Sequence, residues 1–210
     1  MSCRVVVLLS GRGSNFRAIA EAQLPIEIVA VISNRPQAAG LEYARSRGLA
    51  AVALDHTQHP DRESFDALLA DEIERHRPDL VVLAGYLRIL SPAFIARFEG
   101  RLLNIHPSLL PMFPGLKTHE RALEEGVKIH GCTVHFVTAD LDHGPIVIQA
   151  AVPVRADDTP ETLAARVLQQ EHRIYPQAIR WFAEGRLAIH HGRVNLKDDL
   201  TSQSVFSTER

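Results

Sequence analysis

Short β-branched runs alternating with longer stretches of helical spacing predict an α/β protein, with a mostly parallel sheet flanked by helices. The runs at 5–9, 26–32, 49–54 and 80–84 are apolar throughout rather than alternating, as strands covered on both faces must be. Between them, 15–22, 38–47 and 62–75 carry apolar residues at helical spacing. In the second half the runs 129–137 and 145–154 are separated only by the turn-forming residues 138–144, which predicts antiparallel strands added to the sheet.

The remaining elements follow from their end signals. Ser91-Pro92 starts a helix, since Ser caps and Pro fits the first turn. A fifth strand over 101–106 stops at Pro107. Residues 107–118, with Pro107, Pro111, Pro114 and Gly115, form a structured loop, and 118–125 forms a short helix ended by Gly126. Thr159-Pro160 opens a long helix reaching about residue 184 and ended by Gly185, with Pro176 bending it. Residues 186–191 and 192–196 form a terminal hairpin. No repeat or linker interrupts the chain, so 1–197 reads as a single domain and 198–210 as a flexible polar tail.

Among 210 residues, 23 basic side chains face 25 acidic ones, a net charge of −2, which weighs against a general binder of nucleic acid or membrane surfaces. Cys3 and Cys132 are too few for a disulfide scaffold or a cysteine-rich zinc site, and neither sits in a Cys-x-x-Cys motif. No apolar run approaches the ~18 residues of a membrane span, and the N-terminal run is too short for a signal-peptide core. A cytoplasmic protein is expected. No His-Glu-x-x-His motif occurs, and His130 and His135, five apart on a strand, should face opposite ways, so no essential metal is expected.

The first strand runs into Ser10-Gly11-Arg12-Gly13-Ser14-Asn15 and then a helix. Such a turn exposes backbone N–H groups beside the positive end of a helix dipole and can hold a phosphate. The alternative is a tight turn with a serine cap. No Gly-Lys-Ser/Thr follows, and Phe16 stands where a dinucleotide motif has its third glycine. After the second strand Asn34-Arg35 replaces the acidic ribose ligand, a pair that suits a 2′-phosphate.

On the fifth strand Leu102, Asn104 and His106 share a face, at the carboxyl end where open α/β sheets bind ligands. An amide donor and an imidazole suit a reaction that builds negative charge on oxygen; the alternative is a histidine satisfied by local hydrogen bonds. Asp140-Leu141-Asp142-His143-Gly144-Pro145 is a turn whose carboxylates either cap it or, brought beside His106, hold that ring protonated. On the long helix Leu163, Val167, Ile174 and Ala178 form the apolar stripe, and Glu171 falls on it. An inward carboxylate needs a partner, either an arginine or ligand hydroxyls. Gln170 and His172 lie off the stripe and should be exposed.

Four ordered segments together resemble the folate-dependent formyltransferases: Ser10 to Asn15, Leu83-Ala84-Gly85-Tyr86-Leu87-Arg88-Ile89-Leu90-Ser91, Leu103-Asn104-Ile105-His106-Pro107, and Asp140 to Ile146. The resemblance spans roughly residues 3–191, and Gln169-Gln170-Glu171-His172 favours the branch acting on glycinamide ribonucleotide. It implies the Rossmann-like formyltransferase fold and transfer of formyl from 10-formyltetrahydrofolate, a cosubstrate, to the ribonucleotide amine in purine synthesis, without a metal. It also implies Asn104, His106 and Asp142 as the catalytic set. Gly13, Ser14 and Asn15 would hold the substrate phosphate, and Glu171 the ribose hydroxyls. Arg62, Leu87, Arg88, Ile89, Leu90 and Asn104 would line the folate site, covered by Thr138, Ala139, Asp140, Leu141 and Asp142. One departure is His143, where the family loop often has glycine.

Within the family, a methionyl-tRNA formyltransferase would need a further C-terminal domain and a 10-formyltetrahydrofolate hydrolase a further N-terminal one; the chain shows neither. An NADP-dependent oxidoreductase is disfavoured by the missing third glycine. A non-catalytic phosphate-binding module would leave the Asn/His pair and Glu171 without a shared purpose. The expected partners are the two small molecules, with no nucleic acid or membrane, and a monomer or homodimer.

Overall fold

A computed structural model describes residues 2–197 and 203–207. The chain divides into two units, Met1–Asn104 and Ile105–Arg210.

In the first unit the apolar runs become parallel strands in the order β3-β2-β1-β4-β5. They are β1 (Cys3–Leu9), β2 (Ile26–Ser33), β3 (Ala51–Ala53), β4 (Leu80–Leu83) and β5 (Leu102–His106), whose last two residues open the second unit. Val5 to Leu9 have no solvent exposure, as unbroken apolar runs require. The connecting helices are α1 (Ser14–Glu21), α2 (Ala39–Ser46), α3 (Arg62–Arg75) and α4 (Pro92–Arg97). Asp61 caps α3 by accepting from the Ser64 N–H, and Ser91 caps α4 by accepting from the Phe94 N–H. The third strand is shorter than the expected 49–54. The Leu49 N–H is drawn back to the Ala44 carbonyl at the end of α2, and an unforeseen 3-10 turn, His56–Gln58, begins at Asp55.

The second unit holds α5 (Thr118–Glu124), the antiparallel pair β6 (Ile129–Phe136) and β7 (Ile146–Pro153), α6 (Pro160–Ala183), and the hairpin of β8 (Leu187–His190) and β9 (Arg193–Leu196). A capping box of Thr159 and Thr162 opens α6, which runs on past Pro176. It packs on β6, β7 and α5. The sequence predicts no element beyond 197, yet β10 (Ser204–Phe206) lies parallel to β7. The rest of the expected tail, 198–202 and 208–210, lies outside the described residues. The mostly parallel sheet with flanking helices and added antiparallel strands is the fold class that the sequence predicts. Among the described residues, no helix is long and apolar enough to cross a membrane.

Candidate active site

The glycine-rich loop ends at Gly13, which is the N-cap of α1 in the left-handed region at φ 74°. A side chain there would press on the Gly40 backbone at 3.0 Å, so glycine is needed for both space and conformation. Neither serine of the loop caps the helix, because α1 has no side-chain cap. That removes the capping alternative. Ser10 is buried, donates to Asn34 Oδ1 (2.6 Å) and accepts from the Leu87 N–H (2.8 Å). It thereby ties the loop to the segment after β4.

That segment exposes two large apolar side chains, Leu87 at 62% and Ile89 at 57%, while Leu90 is buried. Exposed neighbours of this kind usually meet a ligand or partner. Arg88 lies over the Phe65 ring, 4.9 Å from its centroid. Arg62 stands at the start of α3 and binds its neighbour Glu63.

On β5 Asn104 is half-buried and His106 buried. His106 Nε2 donates to the Phe113 carbonyl (2.9 Å), and Nδ1 faces Asp142 Oδ2 at 3.5 Å. Asp142 also accepts from the Gly115 N–H (2.8 Å), and its Oδ1 lies 3.8 Å from His135 Nε2. The structure therefore brings His106 and the distant Asp142 together, which spacing alone leaves open. The loop supplying Phe113 and Gly115 is pinned at several points. Thr118 donates to the Pro107 carbonyl, Arg121 to that of Pro114, and Thr133 to that of Ser108.

Asp142 sits in the left-handed region at φ 54°, a conformation that Asp tolerates better than most residues. His143 is not among the positive-φ residues, so the histidine replacing a family glycine is not strained there. The indispensable glycine is the next one. A Cβ on Gly144 would collide with the Phe136 carbonyl oxygen. Thr138, Ala139, Asp140 and Leu141 make up the rest of this loop, and Leu141 is 50% exposed.

The other histidines matter more than their spacing indicates. Opposite the Val134–His135 step the partner strand β7 carries an extra residue, Val147, and both His130 and His135 come within electrostatic range of His106. Burial, and then the neighbouring His119, push His130 from 6.5 down to about 4. Burial also lowers His119 and His135. These rings are held neutral when folded, so the unfolded chain binds more protons between about pH 6.5 and pH 4, and stability falls as pH drops through that window. Thermal unfolding at pH 7.5 and pH 5 should show this as about 2–4 °C in Tm for each kcal/mol lost. The His130→Phe variant should show a smaller fall; an unchanged fall would remove His130 from the account.

Glu171 is 7% exposed on α6, on the apolar stripe as expected, and its charge reaches Cys132. Gln170, expected in solvent, is buried. It stands seven residues after Leu163, on the same face, and its Oε1 accepts from Arg173. Burial and then Glu171 raise the Cys132 thiol, and burial with Asp79 raises Cys3 to about 11, so neither is a ready thiolate. Among the described residues no group of three His, Cys, Asp or Glu could hold a metal ion.

Residues 3–179 match the formyl transferase family. The chain belongs to that family. This formyl transferase is 53% identical to phosphoribosylglycinamide formyltransferase of Escherichia coli K12, over 89% of this chain and 90% of that protein. It is 43% identical to the trifunctional purine biosynthetic protein adenosine-3 of Bos taurus, over 91% of this chain but 19% of that protein. Among solved structures, it resembles glycinamide ribonucleotide transformylase 1 of Symbiobacterium toebii (TM-score 0.91, 52% identity, 93% and 94% of the chains). It also resembles the Coxiella burnetii phosphoribosylglycinamide formyltransferase in complex with CHES (TM-score 0.91, 45% identity, 98% and 99%).

For this formyl transferase, sequence reasoning missed His135, the Phe113 carbonyl and the Gly115 N–H as neighbours of the His106/Asp142 pair. No local signal marks a backbone carbonyl or N–H as a partner, and the approach of Asp142 to His135 is a tertiary contact that residue spacing does not encode.

Proposed function

We propose that this chain transfers the formyl group of 10-formyltetrahydrofolate to the amine of glycinamide ribonucleotide, giving formylglycinamide ribonucleotide and tetrahydrofolate. The observation that carries the reading is the pairing of His106 with Asp142 at the end of β5. Family membership and the names of full-length relatives support it.

Both ring nitrogens of His106 face acceptors, a setting suited to the doubly protonated ring. The 3.5 Å between Nδ1 and Asp142 is longer than the ~2.8 Å of a charge-assisted bond, so Nδ1 is not locked to the carboxylate. Bound 10-formyltetrahydrofolate would supply an electrophilic carbon whose oxygen gains negative charge as the amine adds. His106 Nδ1–H and the Asn104 amide would donate to that oxygen, each worth a few (~3) kcal/mol. Asp142 would balance the His106 charge and accept a proton from the amine directly or through water; collapse of the adduct would then break the bond between the formyl carbon and the folate nitrogen, which would take up that proton as tetrahydrofolate leaves. Leu87, Ile89 and Leu141 are apolar yet exposed, and the family resemblance would assign them to the folate together with Arg62, Arg88, Leu90, Thr138, Ala139 and Asp140. The N–H groups of Gly13, Ser14 and Asn15 would hold the ribonucleotide phosphate, and Glu171 its ribose hydroxyls. No metal enters the scheme, and the folate is released after each turnover. A single domain over 1–197 acting in the cytoplasm, as monomer or homodimer, completes the proposal.

The test follows tetrahydrofolate release with and without glycinamide ribonucleotide, in wild type and His106→Ala. Release should require the ribonucleotide and fall in the variant by on the order of 10²–10⁴. Release without the ribonucleotide would show a hydrolase, and no release would overturn the transferase reading.

A further inference from the structure

A cleft of about 640 Å³ opens in the first unit at the carboxyl ends of β1, β2 and β3, and Gly13, Ser14 and Asn15 are not among its lining residues. Its volume lies within the ~300–1,000 Å³ typical of small-ligand sites. Two guanidinium groups border it, Arg12 from the glycine-rich loop and Arg35 from the end of β2. No ion pair or side-chain hydrogen bond engages either one among the described residues. The start of α2 also borders it, and its N-cap, Ala38, has no side chain able to cap.

Asn34 is the second and independent observation. It is 2% exposed and lines the cleft. Its Oδ1 takes the Ser10 hydroxyl proton at 2.6 Å, an O–H···O length, which leaves Nδ2 as the end needing acceptors. The nearest candidate is His56 Nδ1 at 3.4 Å. That nitrogen lies 2.8 Å from the Asn34 backbone carbonyl, an acceptor only, so it must carry the proton and donate. Two donors therefore face each other at 3.4 Å, and the Asn34 amide hydrogens have no acceptor among the described residues. With Nδ1 protonated, neutral His56 keeps a bare acceptor at Nε2. The carboxylate of the cleft, Asp55, is turned to its own helix start, accepting from Thr57 and Gln58.

We infer that this cleft is a second binding site, for a phosphate monoester carried on a nucleoside or sugar, distinct from the Gly13, Ser14 and Asn15 N–H groups. Arg12 and Arg35 hold the phosphate, and the buried Asn34 amide donates to an oxygen or ring nitrogen of the body. Two guanidinium groups supply charge and planar donors for phosphate, and the volume exceeds what the anion alone fills. The dinucleotide reading of Asn34-Arg35 is absorbed here, since a single phosphate and its body need no third glycine.

The test is a two-dimensional NMR titration of the full ¹⁵N-labelled chain with AMP, ribose 5-phosphate and inorganic phosphate. Expected are saturable shifts at Gly11, Arg35, His56 and Thr57 with AMP or ribose 5-phosphate, the tighter probe naming the body, with Kd below about 1 mM. Arg12→Ala and Arg35→Ala, both at exposed positions, should each weaken that binding about tenfold while leaving the fold intact. The shifts should persist when glycinamide ribonucleotide saturates its own site. Shifts confined to Gly13, Ser14 and Asn15, equal affinity for inorganic phosphate, or unchanged binding in both variants would overturn the inference. None of these outcomes depends on whether formyl transfer is observed.

Discussion

Asp142→Asn is expected to lower kcat by on the order of 10²–10⁴ while leaving the fold and both KM values near wild type. The substitution isolates charge from shape. Asn accepts from the Gly115 N–H as Asp does, and it tolerates the left-handed φ of 54° equally well. What it removes is the negative charge 3.5 Å from His106 Nδ1 and 3.8 Å from His135 Nε2. Single-turnover rates at saturating substrates make the measurement. If Asp142 only braces the turn, Asn keeps kcat, and the catalytic proposal for this residue fails.

Gly144→Ala should be more disruptive than its single methyl group indicates. The added carbon meets the Phe136 carbonyl oxygen, which belongs to backbone at the end of β6 and cannot rotate away. The close approach exists because the Phe136 N–H donates to the Pro145 carbonyl (2.9 Å), drawing the two ends of the loop together. Relief requires the loop to shift, and Asp142 lies two residues before the clash. Overpacking of this kind costs about 1–3 kcal/mol or more. Denaturant unfolding and kcat should fall together, whereas His143→Ala next door should leave both nearly unchanged. Wild-type stability in Gly144→Ala would show that the loop has room that its geometry denies it.

Much of this fold was legible because its signals are local. The bounds of α3, expected at 62–75, are those observed, since Asp61 caps and Arg75 ends a clear helical period. Ser91-Pro92 marked α4, and Thr159-Pro160 marked α6, each through one side chain and one ring. The elements that escaped depend on distant partners. β10 exists because β7 offers it a ladder, and nothing in Ser204-Val205-Phe206 alone separates it from polar tail. The site divides the same way. Asn104 and His106 share a strand face by simple alternation, but the meeting of Asp142 with His106 is a tertiary fact. Strand parity separates His135 from His130, but it is silent on the Asp142 carboxylate that another loop brings to within 3.8 Å of His135. Gln170 falls off the stripe traced through Val167, Glu171 and Ile174, yet it repeats the position of Leu163 seven residues on and is buried. The family resemblance supplied Asp142 where periodicity had nothing to say.

The strand laid along β7 also bears on how the protein behaves in concentrated solution. Its three residues occupy backbone N–H and C=O groups that would otherwise face outward as a template for another chain's strand. The Gln203 side chain adds a clasp, donating to the Val147 carbonyl. A stretch that contributes no chemistry thus moves the sheet's open margin from a strand of 8 residues to one of 3, a shorter template for self-association. Shortening the chain before Gln203, or fusing a bulky tag there, would exchange a quiet border for an adhesive one, with catalysis per molecule untouched.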